Sequence, residues 1–523
     1  MSEPPASPPG STGGIDPDDL AVALRVLGQL HEVGEDHPDF VAVRHATSRM
    51  VKAVKQTRRR DKRAAIAQAD GAVVAATATG APDRIDDETR GLTLTASVSA
   101  AIAGTFVKPR PCYICKQKYS VVDAFYHQLC PDCAALSHAK RHARTDLTGK
   151  RALLTGGRAK IGMHIALRLL RDGAHTTITT RFPHDAVRRF AAMDDAASWL
   201  HRLTVVGIDL RDPSQVVALA KTVAGEGPLD ILINNAAQTV RRSPDAYAPL
   251  ADAESVPIPP GLWEEGRGPR MVTLGRTADQ HPHALQSSVE THPLLASAHT
   301  AEMGTPSPTP TPHASTVAGI NAQRLTDLAL APGSSSLAKL ADGSAIDAGG
   351  LIPDLHDTNS WVQAVGDVDA LELLEVQLCN STAPFILINH LRANLAAAAS
   401  SAANENGRAY VVNVSAMEGV FSRGYKGPGH PHTNMAKAAV NMLTRTSARE
   451  MFEADRILMT SVDTGWITDE RPHPTKVRLA EEGFHAPLDL VDGAARVYDP
   501  IVRGEAGEDL YGVFLKDYAP SGW

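Results

Sequence analysis

The stretch Arg151-Ala-Leu-Leu-Thr-Gly-Gly-Arg-Ala-Lys-Ile-Gly162 decides the fold that the sequence predicts. It joins a short apolar segment, a glycine-rich turn and the start of a helix that continues to about Asp172. Glycines suit such a turn because the chain reverses sharply and an anionic group has to approach the backbone. The free N–H groups and the positive dipole end of the helix favour a phosphate there. The sequence therefore predicts a strand–turn–helix unit suited to phosphate binding.

Strands and helices alternate after this unit, on both sides of a long interruption. Apolar runs of strand length are separated by segments whose apolar residues recur every three or four positions. The later predicted strands are 176–180, 203–208, 229–235, 410–414, 457–462 and 510–514, and the predicted helices are 186–197, 212–223, 367–395, 435–449 and 488–502. Such alternation is typical of an α/β fold with a parallel sheet, right-handed crossovers and helices on both faces.

The 523 residues predict more than one domain. Residues 1–18 are rich in Ser, Pro and Gly and are expected to be disordered. Residues 19–105 are predicted to be a helical region, in which Arg44–Arg63 holds nine Lys or Arg residues against one acid, Asp61. Such a run is usually a solvated helix face, and it leaves an acidic partner open as an alternative.

A long insertion is predicted inside the sheet domain, which itself is expected to span residues 146–523. The periodic pattern stops from about 240 to 358, and the stretch includes TPSPTPTPHAST and repeated His and Pro. Loops of this length inside a compact domain are functional or disordered. The insertion is expected to be mostly disordered, above all at 291–344, with Tyr247, Leu250, Leu262 and Trp263 as candidates for packing at its ends.

Four of the five cysteines form two CxxC pairs, Cys112-Tyr-Ile-Cys115 and Cys130-Pro-Asp-Cys133, with fourteen residues between them. Each pair makes a tight turn that brings two sulfurs together, and two such turns supply the four thiolates of a closed tetrahedral zinc site. A closed site has no open coordination position, so the zinc is expected to be structural. Residues 106–145 are therefore predicted to be a small zinc module, with aromatic residues between the pairs as its core.

The glycine turn and several later landmarks resemble the short-chain dehydrogenase/reductase family. The turn Thr155-Gly156-x-Arg158-x-Lys160-Ile161-Gly162 resembles the cofactor fingerprint, with Lys160 in place of the usual middle glycine. Asn234-Asn235-Ala236-Ala237 resembles the turn at the cofactor ribose, and Asp209-Leu210 stands where the family places an acid at the adenine. The resemblance implies a Rossmann-type doubly wound parallel sheet and an NAD(P)-dependent oxidoreductase acting on a carbonyl/alcohol substrate.

The resemblance also assigns catalytic residues. Asn380 matches the asparagine that holds a relay water, Ser415 the serine that orients the carbonyl, and Lys437 the lysine that binds ribose. Asp463-Thr464-Gly465 replaces the usual Pro-Gly pair after a strand, and Gly465 is expected to lie at the cofactor. The landmarks fall in the order and on the elements that the family implies.

One position departs from the family pattern. The catalytic tyrosine is expected four residues before Lys437, where this chain has Thr433. A threonine hydroxyl is far less acidic than a phenol, whose ordinary pKa is about 10. Three proton donors remain as alternatives: Tyr425 in a glycine-rich loop, His432, or Thr433 acting through a water. A fourth interpretation is that the chain has no reductase chemistry.

Two arginines favour NADP over NAD. Arg181 follows the second strand, where an acid would bind the ribose of NAD, and Arg158 lies in the glycine turn. Guanidinium groups bind phosphate bidentately, so both are predicted to contact the 2′-phosphate.

Two hypotheses for function follow. One is an NADP-dependent oxidoreductase with an altered proton relay, and the other is a catalytically weak or inactive NADP-binding regulatory protein. Residues 1–14 have no positively charged or apolar signal region, and no apolar run reaches the length of a membrane span, so a cytoplasmic protein without a membrane partner is expected. A homo-oligomer formed through the sheet domain is a further expectation.

Overall fold

The computed structural model describes residues 14–82, 84, 101–242, 244–259, 261, 268–274, 321–331, 333–334, 336–353, 356–467 and 470–523. The chain divides into two compact units, 1–70 and 71–523. The first unit contains helix α1 (Pro17–Gln29) and most of helix α2 (Pro38–Ala75). Asp16 caps α1 by accepting backbone hydrogen bonds from Asp18 and Asp19. Both helices lie in the part of the chain where the sequence predicts a helical region, although 102–105 at the end of that region belong to a strand. Residues 1–13 of the predicted disordered terminus lie outside the described residues.

The second unit begins with a small module of two strands and a helix. Strands β1 (Ile102–Pro111) and β2 (Lys118–Asp123) pair antiparallel, and helix α3 (Pro131–Arg141) follows. Its core is largely aromatic, with Phe106, Tyr119, Phe125 and Tyr126 buried. The module therefore begins at 102 rather than 106, because β1 supplies one side of that core.

A nine-stranded sheet forms the centre of the second unit. In chain order its strands are β3 (Arg151–Leu154), β4 (His175–Thr180), β5 (Leu203–Gly207), β6 (Ile231–Asn234), β7 (Arg270–Thr273), β8 (Ala409–Ser415), β9 (Ile457–Asp463), β10 (Phe514–Lys516) and β11 (Ala519–Ser521). The spatial order is β11-β10-β9-β8-β6-β3-β4-β5-β7, and every pairing is parallel except that of β10 with β11. The predicted Rossmann-type doubly wound sheet is confirmed.

Helices cover both faces of the sheet. They are α4 (Lys160–Arg171), α5 (Pro183–Ala191), α6 (Pro213–Gly225), α7 (Pro244–Ser255), α8 (Ala322–Leu330), α9 (Leu337–Ala341), α10 (Ala370–Gln377), α11 (Ala383–Ala399), α12 (Pro431–Asp455), α13 (His473–Glu481) and α14 (Leu490–Glu505). One buried cluster packs α4 and α14 on one face, and a second packs α6 and α11 on the other. Both faces are buried, which explains why the central strands are continuously apolar.

Two boundaries differ from the sequence prediction. The long helix predicted at 367–395 is α10 and α11 joined by a π-helical turn at Leu378–Thr382. The strand predicted at 510–514 lies later, at β10, and pairs with β9 through Phe514 and Leu515.

The helical stretch 370–399 is long and apolar enough to cross a bilayer, although half of its most apolar window is buried inside the protein.

The insertion is folded in part. Strand β7 extends the sheet beside β5, and α8 buries Leu325 and Ala329 against Phe182 and Leu250. The prediction of disorder is therefore wrong for 321–331, because α8 buries apolar side chains. Residues 336–344 also lie among the described residues and contain helix α9. Most of the predicted disordered middle, together with Leu262 and Trp263, lies outside the described residues.

Candidate active site

The glycine turn after β3 is built around the backbone of the loop that follows β6. Thr155 Oγ1 accepts hydrogen bonds from the backbone N–H groups of Asn235 and Ala236, at 3.0 Å each. Asn235 Nδ2 donates to the carbonyl oxygens of Thr155 and Gly156. A side chain at Gly162 would place its Cβ 1.9 Å from the Gly156 oxygen. The glycine is required there because the first turn of α4 lies directly against the loop.

Lys160 opens α4 with a left-handed backbone, φ 53°. Glycine adopts this conformation more readily, so Lys160 introduces local strain at this position of the turn. Lys160 lies close enough to Asp347 of the insertion to influence it. Burial opposes ionisation of Asp347, but the positive charges of Lys160, Arg242 and Lys476 hold its pKa below the ordinary value. Ile161, next along the helix, packs against the main core.

The two arginines predicted to bind a 2′-phosphate differ in their contacts. Arg158 Nη1 donates to Asp185 Oδ2 at 2.6 Å, and Arg158 Nη2 donates to the Gly349 carbonyl at 2.9 Å. Arg158 is thus occupied inside the protein. Arg181 lies over the rings of Phe182 and Tyr247 and has no ion pair among the described residues. Arg181 is the cation of the pair that remains available to a phosphate.

Asp209 and Leu210 follow β5 at the carboxyl edge of the sheet. Arg211 Nη2 donates to Asp209 Oδ2 at 2.6 Å, and Arg211 Nη1 donates to Glu375 Oε1 at 2.6 Å. Burial opposes ionisation of Asp209, but Arg211 outweighs it and holds the Asp209 pKa below the ordinary value. Leu210 is buried against the second core cluster. Nothing in the sequence predicted that Arg211 would bind both Asp209 and Glu375 at this edge of the sheet.

Asn380 lies in the π-helical turn between α10 and α11 and holds the loop after β6. Its Oδ1 accepts from the Gln238 backbone N–H at 2.7 Å, and its Nδ2 donates to the Gln238 carbonyl at 2.8 Å. The Asn235-Ala236-Ala237 segment immediately precedes Gln238. The π-helical turn thus brings Asn380 to the same edge as the glycine turn.

Ser415 and Lys437 meet at the end of β8. Ser415 is buried, and its Oγ has no hydrogen-bond partner among the described residues. Lys437 Nζ donates to the Val414 carbonyl at 2.9 Å. Burial lowers the pKa of Lys437 to about 8, with Cys379 and Glu418 acting in the opposite direction. Helix α12 therefore brings an ammonium to the carbonyl of the residue that precedes Ser415.

The three proton-donor candidates occupy different environments. Thr433 is buried on α12, and its Oγ1 has no partner in the described part of the chain. His432 is also buried with both ring nitrogens unpartnered, and burial lowers its pKa. Tyr425 is 76% exposed in the loop before α12. In this conformation the Tyr425 phenol lies on the surface and not among the buried groups.

The strand after Ser415 ends in a carboxyl group. Asp463 is the last residue of β9 and pairs in register with Ser415 of β8. Gly465 follows with φ 76°, and a Cβ there would lie 2.6 Å from Leu488 Cδ1. Sequence reasoning noted Asp463 only as a departure from Pro-Gly. The available signal was a charged residue at the end of a predominantly apolar strand.

The four cysteine sulfurs fit a zinc ion. All four Sγ atoms lie within 4.8 Å of one another. Zinc–sulfur bonds of about 2.3 Å in a tetrahedron require sulfurs about 3.8 Å apart. Cys115 Sγ and Cys130 Sγ lie 3.7 Å apart. Cys112, Cys115, Cys130 and Cys133 therefore form a donor set with the chemistry and spacing of a closed zinc site.

The cysteine module contacts the elements that follow β9. Tyr113, between two cysteines, accepts a hydrogen bond at Oη from the Trp466 backbone N–H at 3.0 Å. Tyr126 Oη donates to Asp492 Oδ1 at 2.7 Å, and Arg141 forms an ion pair with Asp489. Ile467, Leu488 and Leu490 share its hydrophobic core. The module therefore supports the segment beside the candidate active site.

Comparisons with known proteins agree with this geometry. Residues 150–256 match the short chain dehydrogenase family. An uncharacterized protein of Acanthamoeba polyphaga mimivirus is 27% identical over 75% of this chain and 71% of its own length. A probable oxidoreductase of Streptomyces antibioticus is 42% identical over 17% of this chain, and oxidoreductase UcpA of Escherichia coli K12 is 41% identical over 17% of it. These matches span only 30% and 33% of the two oxidoreductases.

Solved structures resemble the chain more distantly. The carbonyl reductase Sniffer of D. melanogaster is 17% identical, with a TM-score of 0.40, and the match covers 72% of this chain and 100% of that one. The segment that matches the short chain dehydrogenase family, residues 150–256, contains the glycine turn and strands β3 to β6 of the sheet.

Proposed function

We propose that the protein is an NADP-preferring oxidoreductase that acts on a carbonyl/alcohol substrate through an altered proton relay. The observation that supports this most is the convergence of Asn380, Ser415 and Lys437 at the carboxyl edge of the sheet. These residues come from three separate elements, yet each ends beside the loop or strand end that faces the glycine turn. Ligands of open α/β sheets bind at that edge.

The residues divide the work between binding and chemistry. In this proposal the first turn of α4, at Ile161 and Gly162, presents backbone N–H groups to the pyrophosphate, and Arg181 binds the 2′-phosphate. The N–H groups of Thr155 and Gly156 instead donate to the Ile233 carbonyl and to Thr179 Oγ1 and hold the turn in place. Bound NADPH supplies a hydride to the carbonyl carbon. Ser415 donates its hydroxyl hydrogen to the carbonyl oxygen, and Lys437 holds the ribose with its ammonium.

The test is NADPH consumption with a broad aldehyde and ketone panel, read alongside nucleotide affinity. Wild type is expected to oxidise NADPH with at least one carbonyl, and Ser415→Ala is expected to lower turnover by at least about 10²-fold while leaving nucleotide affinity unchanged. Ser400→Ala is the matched control because Ser400 lies at the exposed end of α11. A wild type that binds NADPH but reduces no carbonyl would contradict the proposal.

A second function has specific support. Thr433 in place of a phenol and the exposed position of Tyr425 favour a protein that binds NADP as a regulatory ligand. The same measurement separates the two: binding with no turnover across the panel favours the regulatory protein.

The remaining proposals concern the metal, the location, the oligomeric state and the partners of the protein. Structural zinc in the cysteine module, a cytoplasmic location and a homo-oligomer through the sheet domain agree with the proposed enzyme. An acidic partner for the basic helix α2 is compatible with its nine Lys and Arg residues at 44–63. Metal analysis, fractionation, sedimentation and salt-dependent binding to polyanions test these in turn.

A further inference from the structure

The end of β9 places a carboxyl group beside the unpartnered hydroxyl of the candidate site. Asp463 and Ser415 are register partners on neighbouring parallel strands. Such strands lie about 4.8 Å apart, so adjacent side chains on one face are neighbours. Ser415 Oγ forms no hydrogen bond with Asp463 in this conformation, so proton transfer between them requires rotation of a side chain or one bridging water. Both residues stand at the carboxyl edge, where the substrate of an open α/β sheet binds.

The two side chains project from the same face of the sheet. Two residues earlier on these strands, Asn413 Nδ2 donates to Thr444 Oγ1 at 2.9 Å, and Ser461 Oγ lies 2.8 Å from the same atom. Thr444 belongs to α12, the helix that carries Lys437. Side chains alternate along a strand with a period of two, so Ser415 and Asp463 also face the α12 side.

Among the described residues, no cation forms an ion pair with the Asp463 carboxyl. Lys516 Nζ donates to Asp517 Oδ2 at 2.7 Å, and Arg496 Nη2 donates to Asp517 Oδ1 at 3.1 Å. The nearest cations are therefore already paired with another acid. Glu418 contributes further negative charge, and the phenol of Tyr113 faces the same position from the cysteine module.

We propose that Asp463 is the proton donor of this site and replaces the absent tyrosine by passing a proton through Ser415. The proposal rests on the reductase function proposed above. When the carbonyl carbon receives hydride, the C=O π electrons move to the oxygen. The Ser415 hydroxyl hydrogen then bonds to that oxygen, and the Asp463 carboxyl hydrogen bonds to Ser415 Oγ. Asp463 is left as a carboxylate and regains its proton from solvent, so each turnover consumes one proton.

The protonation state of Asp463 is compatible with this role. Burial raises its pKa to about 6; Lys516 and Arg496 lower it, whereas Asp517 and Glu418 raise it further. An acid with a pKa near the working pH both holds a proton and releases it, which general acid catalysis requires. The proton-donating form is lost as pH rises above about 6, so carbonyl reduction by wild type should slow over that range.

The experiment combines turnover and direct titration on the full-length protein. Asp463→Asn keeps the shape of the side chain and removes the proton. It should retain NADPH affinity within about two-fold, lower carbonyl reduction by at least about 10²-fold and abolish the fall in rate above pH 6. Asp509→Asn is the matched control, because Asp509 is a surface acid paired with Arg408 and Arg456.

Infrared difference spectra of wild type against Asp463→Asn provide a readout that does not depend on turnover. A protonated carboxyl band is expected at pH 5 and should disappear by pH 7. Two results would show that Asp463 is not the proton donor and would leave the proposed function standing. One is a carboxyl band that titrates below pH 4.5, and the other is an Asp463→Asn enzyme with the wild-type rate and pH profile. Wild type that binds no NADPH or reduces no carbonyl refutes the proposed function, and the relay with it.

Discussion

At the scale of single residues, substitution of the two arginines near the glycine turn is expected to have different effects. Arg181→Ala should remove most of the preference for NADPH over NADH, about 1–3 kcal/mol, because the charge-assisted contact to the 2′-phosphate is lost. Arg158→Ala should lower the melting temperature without a selective change in preference, because Arg158 pairs with buried Asp185. Fluorescence titrations with both nucleotides and thermal melts check this. Equal affinity of wild type for NADPH and NADH would contradict it.

The raised pKa of Asp463 also predicts how the free energy of unfolding depends on pH. Its pKa is raised from an ordinary 3.8 to about 6 in the folded protein. The folded state therefore binds this proton more tightly than the unfolded state, and the resulting stabilisation is full below pH 4 and lost as pH rises through 6. Asp463→Asn should raise the free energy of unfolding at pH 8 by up to about 3 kcal/mol. Urea unfolding at pH 8 and pH 4 measures this, and a loss of stability in the variant at pH 8 would contradict it.

At the scale of elements, the glycine turn and α4 allow a matched comparison of two glycines. Gly162→Ala would bring a Cβ to 1.9 Å from the Gly156 oxygen, whereas Gly225→Ala at the end of α6 would meet nothing within 4 Å. Gly162→Ala should therefore abolish nucleotide binding, because the turn has to open. Gly225→Ala should bind normally. Calorimetric titration with NADPH separates the two, and normal binding by Gly162→Ala would show that the turn does not hold the nucleotide.

The contacts of the cysteine module predict that metal removal alters the segment at Trp466, beside the candidate active site. Purified protein should carry about one zinc per chain, and Cys112→Ser should reduce that content. Chelation should also change the fluorescence of Trp466, because Tyr113 accepts the hydrogen bond from its backbone N–H. A Trp466→Phe protein identifies which part of the signal belongs to that residue. Unchanged zinc content in Cys112→Ser would contradict the assignment of ligands.

Elements differ in how well the sequence predicts them. Strands such as β3 and β8 are short apolar runs, and their burial on both faces makes that signal strong. Helix α7 contains Pro249, and α8 has only nine residues, so neither shows a sustained period. The same limit holds in the site. Residue types predict Ser415 and Lys437, whereas the Arg158–Asp185 pair and the Ser415–Asp463 neighbourhood depend on tertiary contacts between distant segments.

At the scale of the whole molecule, the insertion is expected to contribute to stability. Leu325 of α8 is fully buried against Phe182 and Leu250. Leu325→Ala should lower the free energy of unfolding by about 2–5 kcal/mol, because a cavity forms in that cluster. Leu374→Ala is a suitable control, since Leu374 is exposed on α10. Equal stability of the two variants would mean that α8 is dispensable. Within the predicted disordered middle at 291–344, we expect proteolysis to cut first at residues 291–320, which lie outside the described residues.

The contacts of the cysteine module also set a sequence of events during synthesis. Tyr126 and its partner Asp492 are 366 residues apart along the chain. At about 5–20 residues per second, a ribosome needs about 20–70 s to make the intervening chain. The four cysteines are synthesised long before Asp492, so the predicted zinc site is available to metal while the rest of the chain is still being made. A nascent chain that binds the metal early therefore carries a folded module before Asp492, which the module contacts, has been synthesised.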